Sequence, residues 1–202
     1  DRDWEVAERA CEGLAKKATE KAVHPLAVLS IQGPVRVLRL AAAAALGARQ
    51  AEAGARLVQA GLGAKSEAPA AAAAEALAEI RHPAAKEKLK GALQNKSPYA
   101  RRAAAPALGS LRDPALLEDL DAALRDPDLL ARVGAVEGIA RIGDPRGTAI
   151  FLTELQARPP APRLSDLLER RMVSGIRRIL WGLKGTPEAE AGVRPRLARA
   201  RV

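Results

Sequence analysis

The segment RRAAAPALGSLRDP at 101–114 returns as RVGAVEGIARIGDP at 132–145, an offset of 31 residues. A repeat of that length constrains the fold before composition is considered. One unit is too small to enclose its own core, so successive units must bury their faces on each other. The same step backward finds AAAAEALAEIRHP at 71–83 and, after a shift of one, RLAAAAALGARQ at 39–50. Aligned on one large apolar position the series reads Leu14, Leu46, Leu77, Leu108, Ile139 and Ile176, with only the last interval longer. Four residues before each stands Ala10, Ala42, Ala73, Ala104, Ala135 or Met172. Positions i and i+4 share a helix face, so each unit presents the same pair to its neighbours, small beside large in the first five.

The punctuation repeats as well. At the start of each apolar pattern lie Asp3, Val35, Ser66, Ser97, Asp128 and Ser165, and all but valine are good N-cap residues. Five residues after the large apolar position come Thr19, Ala51, His82, Asp113 and Asp144, the last three followed by Pro83, Pro114 and Pro145. A capping side chain before a proline in the first helical turn starts a second helix, and the proline ends the first one by keeping its predecessor out of the helical region. The expected unit is a helix of roughly 12 to 14 residues, a tight turn and a second helix of about 11. The fold class is therefore all-α, an α-α superhelix (solenoid) of about six helix pairs with a period of about 31 residues. Composition agrees. Alanine dominates, large aromatics are reduced to one Phe, one Tyr and two Trp, and so the chain suits thin layers of closely approaching helices.

The pattern of capping Asp or Ser, apolar residue, Arg, two variable residues, Ala, three variable residues, Leu and a Gly-Asp-Pro turn resembles short bacterial-type HEAT-like repeats, which are also seen in phycobilisome lyases. Its clearest copies are Ala100-Arg101 through Leu108-Gly109 with Arg112-Asp113-Pro114, and Ala131-Arg132 through Ile139 with Gly143-Asp144-Pro145. The repeat arginine is present as Arg39, Arg101 and Arg132 and replaced by Ala7, Ala70 and Glu169, which interrupts any continuous ladder of arginines. Residues 1–155 form five regular repeats, 156–163 a proline-rich loop, and 164–202 a basic terminal repeat and tail. Three prolines in four residues forbid a helix in that loop.

The resemblance implies a non-enzymatic protein-protein interaction scaffold that takes a protein or peptide partner on the concave face, formed in such arrays by the second helices. Lys21, His24, Arg56, Glu87, Lys88, Glu118, Asp119 and Arg146 are the candidates there. The second helix of the third repeat is basic and that of the fourth acidic, which suits a protein better than a polyanion. Nucleic acid is the alternative partner. From 157 to 202 lie eleven Arg and Lys against four acids, and Arg170, Arg171, Arg177 and Arg178 share one side of a helix, available to phosphates or an acidic surface.

Catalysis finds no support. Phosphate-binding glycine loops and nucleophile elbows are absent, and His24 and His82 have no evident partner. The lone Cys11 lies in an apolar pattern and reads as a core thiol. No metal or cofactor is expected, and bilin-lyase activity is the least favoured reading. Trp4 and Trp181 are expected to close the ends of the core. A cytoplasmic location is expected, and because the sequence opens on Asp1 without methionine, loss of an upstream segment keeps export open.

Overall fold

The computed structural model describes residues 6, 9–13, 20–49, 51–157 and 164–182, and the regular elements among these residues are all helical. Among the described residues, after a helical stretch at 9–13, ten helices succeed one another: α1 (Glu20–Gln32), α2 (Arg36–Arg49), α3 (Ala51–Leu62), α4 (Glu67–Ile80), α5 (Pro83–Ala92), α6 (Pro98–Ser110), α7 (Leu117–Ala123), α8 (Leu129–Ile142), α9 (Pro145–Ala157) and α10 (Leu164–Gly182). A single 3-10 turn, Pro114–Leu116, leads into α7.

These boundaries follow from the punctuation. α4, α6 and α8 begin one residue after Ser66, Ser97 and Asp128. Only Asp128 caps with its side chain, accepting the Ala131 N–H at 2.8 Å; the two serines have extended cap backbones without the side-chain bond. The second helices start as their sequence predicts. The His82 Nδ1 accepts the Ala84 N–H at 3.2 Å, and Asp113 and Asp144 accept from Ala115 and Arg146, each at 2.9 Å. α10 begins at Leu164, just ahead of the predicted cap Ser165.

Two rows result. The first helices α2, α4, α6, α8 and α10 each pack on the next, and the second helices α1, α3 and α5 form a second row, to which α7 and α9 are joined by ion pairs. Leu46, Leu77, Leu108, Ile139 and Ile176 are at most 1% exposed, and Ala42, Ala73, Ala104, Ala135 and Met172 are fully buried. The repeated pair is thus the spine of the core. Ala10, by contrast, is exposed, while Leu14 lies outside the described residues. Cys11 is buried in the core.

The closest contact in the first row joins α6 to α8. A Cβ on Gly138 would lie 2.4 Å from the Ala105 carbonyl oxygen, and one on Gly109 would lie 2.4 Å from that of Gly138. No side chain fits between these backbones. Only hydrogen allows the helices to touch there.

The repeat arginine fastens each first helix to the loop that leads into it. Arg39, Arg101 and Arg132 donate from Nη1 to the carbonyls of Gly33 (3.1 Å), Asn95 (2.9 Å) and Asp126 (2.7 Å), always six residues back. Arg101 also grips Asp126 of the following loop at 2.7 and 3.0 Å, so it ties two repeats together. At the far end α10 packs on α8 and α9 through Leu168, Met172, Ile176 and Ile179. Of the proline-rich loop only Gln156 and Ala157 are described, as the end of α9; residues 158–163, the tail from 183, Trp4 and the side chain of Trp181 lie outside the described residues.

Candidate functional site

The charges on the second helices are largely directed at each other. Lys86 of α5 donates to Asp113, Lys90 reaches Asp119 of α7 at 3.2 Å, and Arg125 reaches Glu154 of α9 at 2.9 Å. The Lys86 bond holds the Asp113 carboxyl below its ordinary range, and the Asp119 bond raises the Lys90 ammonium. The basic second helix of the third repeat and the acidic one of the fourth therefore neutralise one another across the repeat boundary. Among the predicted contact residues, Asp119 is taken by Lys90, Arg146 by Asp144 at 2.9 Å, and Arg56 by Glu52 at 3.5 Å on its own helix. Lys21, His24 and Glu118 are exposed and Lys88 is half-buried. Glu87 alone of the eight borders the groove described next.

That groove, of about 1150 Å³, runs across the first helices instead. α2 contributes Arg36 and Leu40, α4 Glu67, Ala71 and Glu75, α6 Arg102, Ala103 and Pro106, and α8 Leu130, Val133, Glu137 and Arg141. Small residues of the first helices, among them Ala71, Ala78, Ala103 and Gly134, line its floor. Leu40, Leu130 and Val133 line it as well, and Leu130 is 43% exposed. Around the floor the charges are mostly matched: Arg36 with Glu75 at 3.2 Å, Arg141 with Glu137 at 2.6 Å, Arg102 with Asp128 at 2.6 Å. The Arg102 pair draws the Asp128 carboxyl down to about 2. Successive packed helices lie about 8–10 Å apart, so four of them give a trough roughly 25–30 Å long. Its volume also exceeds that of an ordinary small-molecule site, which reaches about 1,000 Å³. A polypeptide segment fits these dimensions.

One rim of the groove is formed by the turns between paired helices. There Arg81 and Arg112, 31 residues apart, have left-handed backbones with φ of 51° and 53°, and the equivalent position in the next repeat is Gly143 with φ of 77°. The repeat requires this conformation to reverse the chain, and glycine adopts it freely while arginine pays about 1 kcal/mol. Both arginines are exposed and both border the groove.

Arg170, Arg171, Arg177 and Arg178 are all exposed on α10, on the side opposite Leu168, Met172, Ile176 and Ile179. Their spacing places two arginine columns along the solvent face of that helix. Among the described residues no group of three or more His, Cys, Asp or Glu could hold a metal ion, and no helix is long and apolar enough to cross a membrane.

Position in the repeat was legible from the sequence; the row that forms the trough was not. In the second to fifth repeats the residue after the large apolar position reads Gly47, Ala78, Gly109, Ala140, all small, and this was the available signal that the first helices approach most closely. No curated protein matches the chain. The family model for HEAT repeats matches residues 55–128 and 92–169, more than half the chain and the same stretch in which the paired helices, turn prolines and buried leucines recur most regularly; the protein belongs to the HEAT repeat family.

Proposed function

We propose that this chain is a non-enzymatic scaffold that holds another protein by a segment laid along the groove of its first helices. The observation that carries the reading is the groove: an apolar floor open across four repeats, walled by charges that are mostly matched within the protein. Burying such a floor is favourable, and matched walls leave few unpaired charges to desolvate. The second-row charges give less support, because most are engaged with each other. A photo-crosslinking residue at Ala103 is expected to capture a protein from cells, while the same residue at Glu118 captures little. Equal capture at both positions, or capture at Glu118 alone, would move the binding face to the second helices.

The arginine columns of α10 support a second reading, contact with nucleic acid or another polyanion. Reversing all four residues to Glu should then weaken DNA binding and flatten what remains of its dependence on salt. Binding unchanged by the reversal would remove that reading.

A further inference from the structure

The partner's chemistry can be taken further, resting on the groove as its docking face. We infer that the segment held there is acidic as well as apolar, with carboxylates set against Arg81 and Arg112. Three observations support this. First, the Arg112 guanidinium makes no ion pair among the described residues, and Arg81 touches Glu79 only at 4.0 Å with its side chain 78% exposed. The other arginines of the groove, Arg36, Arg102 and Arg141, are engaged at 2.6 to 3.2 Å. Second, both occupy a backbone position for which glycine is better suited and where the next repeat has glycine. A guanidinium kept at a strained position on the edge of a groove calls for a role beyond folding. Third, both lie on the same rim, one repeat apart, with Leu130, Val133 and Ala103 across the floor.

Neighbouring helices fix the separation of equivalent turns at about 8–10 Å. Carboxylates three residues apart on a polyproline-II segment, which turns once every three residues, lie on one side about 9 Å apart, and residues seven apart on a helix span about 10 Å. Guanidinium accepts carboxylate in a two-bond fork, so the pair of arginines reads spacing as well as sign. The remaining length of the segment meets the apolar floor.

The test uses the full chain and random twelve-residue peptides displayed on phage. Binders are sorted by whether Ala103→Glu and Val133→Glu, each verified as folded by its melting curve, abolish their binding. Groove-dependent peptides are expected to carry two acids at one of those spacings beside apolar residues. Arg81→Gly with Arg112→Gly should weaken them about tenfold and raise the melting temperature, a combination that a purely structural role for the arginines would not produce. Neutral or basic groove-dependent peptides, or acidic ones indifferent to the double variant, would overturn the acidic partner and leave the groove standing. If no binder depends on Ala103 and Val133, the docking face itself falls. Displacement of the peptides by a short DNA duplex through the same two arginines would assign them to phosphate instead.

Discussion

In the row of first helices α6 and α8 meet backbone to backbone at Gly109 and Gly138, whereas α5, α7 and α9 of the second row are joined through long side chains, Lys86 to Asp113, Lys90 to Asp119 and Arg125 to Glu154. Missing side chains draw the stack together on one side, and extended ones span the other. The trough lies on the first of these sides. The same comparison separates the kinds of force involved. Packing in the first row admits no added volume, while the second-row pairs lie near water, where an ion pair contributes little.

The largest expected effect tests the tighter row. Gly138→Val should destabilise the fold by about 3 kcal/mol, because its Cβ meets the Ala105 carbonyl, which cannot move without moving α6. A denaturant titration measures this, and a loss below 1 kcal/mol would mean that the helices do not approach so closely. Ala104→Leu should cost about 2 kcal/mol by overpacking a site with no exposure. Neutrality there would misplace the repeat register.

Asp128 belongs to both contrasts, since it caps α8 and binds Arg102 of the preceding first helix. Its carboxyl is held near 2 in place of 3.8, so the folded chain takes up the proton less readily than the unfolded one. The stability it contributes is complete above about pH 5 and is lost as the pH falls toward 2. Asp128→Asn should lower stability at pH 7 by about 1.5 kcal/mol and flatten that part of the acid limb. An unchanged pH profile would count against the pair.

The smallest effect belongs to the second row. Lys86→Met should change stability by about 0.5 kcal/mol or less, and added salt should shrink the difference. A cost near that of Gly138→Val would erase the distinction between the rows.

How much of this was legible depends on what each residue answers to. Helix starts at Ser66, Ser97, His82, Asp113 and Asp128, and the burial of Leu77, Leu108 and Ile139, are decided by local backbone chemistry and a regular period, both written along the chain. The partners of Lys86 and Lys90 are set by how one repeat lies on the next, a distance of 27 to 29 residues that the period alone does not convert into contact. Basic and acidic second helices therefore read as a mixed surface for a partner, while Lys86 and Lys90 are already paired with Asp113 and Asp119 of the next repeat. The trough was hidden for a related reason: small residues look like core in one dimension, and only the stack shows that close approach also shapes the surface above them. Arg81 and Arg112 were inconspicuous beside the Asp113-Pro114 and His82-Pro83 turn signals, because left-handed backbone at an arginine leaves no mark in composition.

The central claim is that partners occupy the first-row trough. Methyl NMR of the chain, titrated with a groove-selected peptide, tests it most directly. Shifts are expected at Leu40, Ala103, Leu130 and Val133, with Val28 and Leu57, exposed on the second row, unmoved. Shifts centred on Val28 and Leu57, with the trough methyls unchanged, would contradict it.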